Sequence, residues 1–331
     1  MKGLKTYDVK FDNPLIKTIT KTALNEVITA IKNTPNSGKL DVRGTMGLKG
    51  QVFKFDTITF DDSSTLMLES LEFEYVAIAV KELILDIKNP AFRAFLSRPI
   101  GTLEQQILSQ LNGLNGINGQ GGGNGGTIDR VGQPGFPGGS GTNGTNGGTV
   151  QLPQVFFFVQ NFKFGTGATP SKQYFYLNFL GLSGGNGGNA GSGGRGGRGG
   201  NGDKGASGLI GCKEGGGSGG QGGTGGNGGE GGDGAIGGNG GQLFLYSPSP
   251  TMFDFSTANI EGGQGGIGGQ YGQGGSGGDG GTGAASVGFC GEKPNGRYGR
   301  GGVSGSSMGD TGQAGQRGGQ FVNKRDNTDL F

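Results

Sequence analysis

The sequence predicts a β-rich N-terminal domain, either a sandwich or a short β-solenoid. It joins an elongated bundle of about six antiparallel polyglycine-II helices arranged as three hairpins. Three observations predict this. Glycine recurs at every third residue over long stretches; a period of three fits neither an α-helix (about 3.6) nor a strand (about 2), but fits the polyproline-II geometry. Three of those stretches run into one exit signature: Gly-Gly-Thr-Val at 147–150, Gly-Gly-Gln-Leu at 240–243 and Gly-Gly-Gln-Phe at 318–321. Between them lie aromatic runs with strand-like spacing.

Composition divides the chain. Of 84 glycines in 331 residues, six precede residue 113 and none follows residue 319, so 1–112 reads as a base domain, 113–320 as the glycine-rich region and 321–331 as a tail. Net charge is +2 with mixed signs, which gives no electrostatic case for nucleic acid or an anionic membrane. Histidine is absent, which removes the commonest general base and neutral metal ligand. The N-terminus carries no signal-peptide run, and no apolar run of about 18 residues, the length of a membrane-crossing helix, occurs.

The base domain begins with a turn at Asn13–Pro14 and a helix within 13–33, with Leu24, Val27, Ile28 and Ile31 on one face. Alternating runs at 52–60, 65–69, 71–80 and 82–88 read as strands. Residues 102–111 read as a short helix or an amphipathic strand leading into the glycine region.

Glycine opens each triplet in six segments: 113–125, 132–147, 184–211, 216–240, 262–283 and 296–318, the last with a one-residue slip at Met308. In the long runs the repeat is Gly-Gly-X. Every X then falls on one ridge, and the bare ridges let neighbouring segments pair the N–H and C=O groups that this conformation cannot satisfy internally. A flexible linker would not hold such a register. Collagen needs far more proline than the 11 residues present; only 132–138 looks collagen-like. The aromatic runs at 150–182 and 243–260 read as base strands that can extend the sheet of the N-terminal domain, and 128–131, 213–215 and 286–295 as short distal turns.

Chain parity puts all the short turns at one end. It therefore brings Cys212 and Cys290 together and predicts a disulfide between them, with Leu209, Ile210, Val287 and Phe289 as a small apolar cap. Such a loop closure is worth about 4 kcal/mol in the chain-entropy model and implies an oxidising compartment.

Other motifs carry little. The Gly-Gly-Arg-Gly-Gly-Arg-Gly-Gly run at 193–200 places both arginines on one solvated ridge, without the aromatics of a nucleic-acid binder. Residues 274–279 start like a calcium nonapeptide, but Gly281 stands where an apolar residue is needed. Asp61 and Asp62 read as turn residues, and no nucleophile–base arrangement, metal site or cofactor loop is found, so no enzyme and no cofactor is expected. Phe136, Tyr271 and Tyr298 interrupt small or polar positions and read as packing or inter-subunit contacts of the rod.

The Gly-Gly-X runs punctuated by variable turns resemble polyglycine-II bundle proteins: the tail-fibre-tip adhesins of T-even-like bacteriophages and the springtail antifreeze family. The resemblance covers 113–320 only. With the composition, it implies a non-catalytic extracellular structural or adhesive protein at a cell or virion surface, self-assembling as a fibre subunit. The adhesin variant implies receptor contacts at the tip, for which Lys213, Glu214, Phe289, Glu292 and Lys293 are the candidates. Expected partners are copies of itself or a cell-surface receptor, with no nucleic acid and no membrane insertion. Ice binding ranks last, because the ridges carry long hydrated side chains.

Overall fold

A computed structural model of the chain describes residues 21–89, 91–165 and 174–331. Helix α1 (Lys21–Asn33) opens it. Strands β1 (Lys39–Val42), β2 (Thr45–Leu48), β3 (Val52–Phe60), β4 (Thr65–Leu68), β5 (Tyr75–Leu85) and β6 (Ala94–Ser97) follow, then helix α2 (Gly101–Leu111). Next come the two-residue strands β7 (Thr127–Ile128) and β8 (Val131–Gly132), then β9 (Gln154–Phe164) and β10 (Phe175–Asn178). A short hairpin, β11 (Ala206–Ser207) with β12 (Cys212–Glu214), precedes β13 (Gln242–Ser247), β14 (Ser256–Asn259) and β15 (Gly319–Lys324).

The chain winds between two sheets. One has six strands in the order β1-β3-β5-β9-β13-β15, the other five in the order β14-β10-β6-β4-β2. Every pairing in both is parallel. Each passage through the first sheet is followed by one through the second, so every circuit adds a strand to each. All three glycine-rich insertions leave from the same corner, after β6, β10 and β14, and return at the next strand of the six-stranded sheet.

The expected fold class is corrected by this arrangement. A bundle of about six helices beside a small β domain was expected. Instead, the regular architecture is two large parallel sheets, with only two α-helices, α1 and α2, among the described residues. β9, β13 and β15 join the sheet begun by β1, β3 and β5, so strands from the aromatic runs extend the N-terminal sheet. The physical reason is burial. The aromatic runs bury both faces when added to one sheet, which separate hairpin bases could not provide.

β9 shows how. In Val155-Phe156-Phe157-Phe158-Val159 every residue is buried. Val155, Phe157 and Val159 point between the sheets, beside Val76, Ile78 and Val80 of β5 and Leu177 of β10. Phe156 and Phe158 point outward, with Ala77, Ala79, Phe244 and Tyr246, under Val27 and Ile31 of α1. The outward rings form ladders across strands: Phe156 on Phe244 at 5.0 Å, Phe244 on Phe321 at 4.9 Å and Phe158 on Tyr246 at 4.6 Å between centroids, all stacked. The expected apolar face of α1 is the one that packs here; the expected Asn13–Pro14 turn lies outside the described residues.

Residues past β15 lock this outer layer. Asn327 is fully buried, and its amide donates to the carbonyls of Val159 (3.0 Å) and Tyr246 (3.1 Å). Asp329 pairs with Lys32 of α1 and with Arg325, both at 2.8 Å. Burial raises the Asp329 carboxyl, but hydrogen bonds and charge from Lys32 and Arg325 outweigh it and hold the group below the usual carboxylate range. Arg98, almost fully buried, pairs with Glu104 at 2.8 Å and so fixes the first turn of α2 at the root of the first insertion.

Apart from Gly132 of β8 and the short strand β11, the glycine-rich segments belong to no helix or strand, and their backbones cross-link one another. Segments 113–125, 184–202 and 262–283 run alongside in the same direction, as in Gly116 N–H to Asn189 O (2.6 Å) and Gly187 N–H to Ile267 O (2.8 Å). Segments 132–147, 216–240 and 296–318 form a second row, as in Gly138 N–H to Thr224 O (2.8 Å) and Gly222 N–H to Arg297 O (2.9 Å). Opposed bonds stitch the rows together: Gly191 N–H to Thr142 O, Gly223 N–H to Gly197 O and Gly266 N–H to Ala235 O, each 2.8 Å. Glycine is required by this proximity. A Cβ on Gly194 would overlap the Gln120 carbonyl oxygen, and one on Gly223 that of Phe136.

Side chains complete the network on the outer faces. Asn115 Oδ1 accepts the N–H of Asn189 at 2.9 Å, and Asn189 Oδ1 in turn accepts that of Gln270 at 2.8 Å. In the second row Asn143 serves Glu230 and Asn239 serves Gln316, both at 2.8 Å. Asparagine at X is thus a cross-link to the next segment, not only a solvated residue.

Candidate functional site: the distal tip

Three turns meet at the end of the glycine region away from the sheets. In the first, β7 and β8 pair Thr127 with Gly132 and Ile128 with Val131. Asp129 (φ 46°) and Arg130 (φ 68°) make the turn, the consecutive left-handed pair of a two-residue hairpin. In the second, β11 pairs with β12, and Gly208 N–H bonds Gly211 O at 2.7 Å around an apex of Leu209 and Ile210. In the third, Val287 and Cys290 exchange two backbone bonds of 3.0 Å around Gly288, whose φ is +55°, and Phe289.

The turns are tied together. Cys212 and Cys290 form a disulfide across 78 positions, with Cα atoms 4.7 Å apart. Ser207 Oγ accepts the Phe289 N–H at 3.1 Å. Arg130 of the first turn pairs with Glu214 of the second, and the Asp203 N–H bonds Arg130 O at 2.8 Å.

Of the sequence-predicted tip residues, Lys213, Glu214, Phe289, Glu292 and Lys293 are all exposed on these connected turns, and Glu214 is engaged by Arg130. The expected apolar cap is not formed. Leu209 is 98% exposed and Ile210 95%, so they project into solvent instead of covering the disulfide. A two-residue apex held by its own backbone bond turns both side chains outward, which sequence spacing does not reveal. Ile128 (60%) and Val131 (43%) add to this surface and were not singled out by the sequence; their signal is a pair of apolar residues flanking a polar two-residue turn.

The predicted rod contacts do not converge. Phe136 (62% exposed) lies in 132–147, at one side of the cross-linked segments, whereas Tyr298 (76%) lies in 296–318, at the other. Tyr271 takes a glycine place in 262–283 and is 39% exposed. Among the described residues, no group of three metal-ligating side chains occurs, and no helix is long and apolar enough to cross a membrane.

Comparisons with known proteins add little. No protein-family model and no curated protein matches the chain. Among solved structures, the nine polyproline type II helical bundle springtail antifreeze protein from Granisotoma rainieri matches at 24% identity. The match covers 60% of this chain and 94% of that one, with a TM-score of 0.10. At that TM-score the likeness carries no argument about fold or activity.

Proposed function

We propose that this is a non-catalytic structural and adhesive protein of the extracellular surface, a subunit that assembles with copies of itself into a fibre. One observation carries the assembly: among the described residues, both parallel sheets end in strands with no neighbour on their outer side. β15 and β1 each have a single neighbour in the first sheet, as do β14 and β2 in the second. An open parallel edge offers a row of unpaired backbone groups. The last strands of one copy face the way that the first strands of the next would require. Head-to-tail contact of that kind does not close on itself, and it generates filaments. The disulfide suits the oxidising conditions outside a cell.

The test is electron microscopy with sedimentation over a concentration series. Concentration-dependent filaments are expected. Gln320→Lys, which puts a charge on the last strand, β15, should abolish them under conditions where circular dichroism shows the monomer still folded. A wild-type protein that stays a discrete monomer at all concentrations overturns the proposal.

A further inference from the structure

The distal end displays apolar side chains that no packing within the molecule explains. Leu209, Ile210, Phe289, Ile128 and Val131 are 98%, 95%, 66%, 60% and 43% exposed. They sit on three turns held to one another by the disulfide, by the Ser207–Phe289 bond and by the Arg130–Glu214 pair. The scaffold therefore presents the apex of β11–β12 without using it for stability. An exposed apolar cluster of this kind marks a contact surface.

Three features narrow the partner. The apex is convex: two consecutive aliphatic residues crown a turn closed by the Gly208–Gly211 bond, so a partner must yield or engulf it. A second copy offers no such surface at its own tip, which is equally convex. The apolar side chains exposed along its glycine region, such as Leu114, Ile117, Phe136, Ile267 and Tyr298, stand on ridges among polar residues. The hollows of the described surface lie on the base, against α1 and beside Lys163, not on those flanks. The charges around the apex cancel. Asp129, Asp203, Glu214 and Glu292 are matched in number by Arg130, Lys204, Lys213 and Lys293. Attraction to an anionic surface is therefore absent, and apolar transfer is left as the driving force.

We propose that this tip inserts Leu209, Ile210 and Phe289 into the headgroup–acyl boundary of a zwitterionic lipid bilayer. The insertion is shallow, in the manner of a surface-lying anchor and not of a spanning segment. It is a separate matter from assembly, since it involves the far end of the glycine region and not the edge strands of the sheets.

Flotation of the oxidised full chain with protein-free phosphatidylcholine vesicles tests it. The protein should float with the vesicles to the same extent at low and high salt. Leu209→Ser with Ile210→Ser should weaken binding about tenfold or more, since two fully exposed aliphatic side chains lose their transfer gain. The melting temperature should not change, because neither residue packs. Ile236→Ser, at a residue 58% exposed in segment 216–240, is the control and should float like the wild type. Failure of the wild type to float, or equal flotation of the double variant, overturns the proposal. So does binding that requires phosphatidylserine and disappears in salt, or binding only to vesicles carrying membrane proteins. Filaments that form but do not float would refute the lipid contact and leave the assembly proposal standing.

Discussion

The two halves of this molecule are held together by opposite means. Between the sheets, side chains do the work: Phe157 touches Phe175 and Phe253 at 6.2 and 6.5 Å between centroids, and little of its surface reaches water. In the glycine region almost nothing apolar is buried, and backbone groups bond each other at every triplet. The first region is stabilised by what its side chains fill. The second depends on side chains being absent where segments touch, because glycine lets carbonyls of neighbouring segments approach within bonding distance. Substitutions should therefore act in opposite senses in the two regions.

The largest effect is expected where volume is removed from the sheets. Phe157→Ala should cost about 3–5 kcal/mol in chemical denaturation. If it costs less than 1 kcal/mol, the inter-sheet core is not the main source of stability in the base.

Adding volume should be the damaging change in the glycine region. Gly223→Ala places a methyl on the Phe136 carbonyl and should cost about 3 kcal/mol, since backbone cannot move aside as a side chain can. Thr224→Ala, at the exposed next position, should stay within about 0.5 kcal/mol. Equal effects at 223 and 224 would erase the contrast between the two regions.

Alkaline pH should loosen the base first. Burial pushes the Tyr246 phenol up to about 12 from 10.0, with Arg325 pulling weakly the other way. Its folded value lies above the unfolded one, so its contribution is complete below pH 10 and is lost as pH rises towards 12. Integrated over that window the loss is about 2–3 kcal/mol, and Tyr246→Phe should flatten it. An ultraviolet titration with every tyrosine ionising near 10 would contradict the buried placement of this ring.

The smallest effect tests the side-chain cross-links. Asn189→Ala removes the acceptor for Gln270 N–H and should cost about 1 kcal/mol. Asn189→Asp keeps an acceptor oxygen and should retain most of that.

Local features were legible in the sequence where one element suffices to fix them. Alternation at 52–60 located β3, and the glycine register located the segments whose backbones cross-link. Triplet parity brought Cys212 and Cys290 to one end, and they are bonded there. Lys81, exposed within an apolar stretch, made one strand, β5, look like two. The architecture was not legible, because β5 and β9 are neighbours across an insertion of about 70 residues, and loop closure penalises such length only weakly. A period of three dominates any inspection of this chain. The aromatic runs read as strands, but spacing does not say that they alternate between two sheets. The tail at 321–331 gave no sign of its role either, since β15 is short and Asn327 is buried by contacts from strands far away in sequence.

At the tip, the sequence shows that Leu209 and Ile210 are apolar but not which way they face. Their direction follows from the Gly208–Gly211 bond, a feature of the folded turn.

Amide hydrogen exchange along 216–240 tests the backbone network most directly. Gly222 and Gly223 each donate to a neighbouring segment, and Glu230 donates to Asn143. The Thr224 N–H lies on the outer face beside Pro137, which has no acceptor on its side chain to offer it. Slow exchange at 222, 223 and 230 with fast exchange at 224 is the predicted pattern. Uniformly fast exchange through 216–240 would contradict it, and would mean that these glycines are not lent partners by the segments beside them.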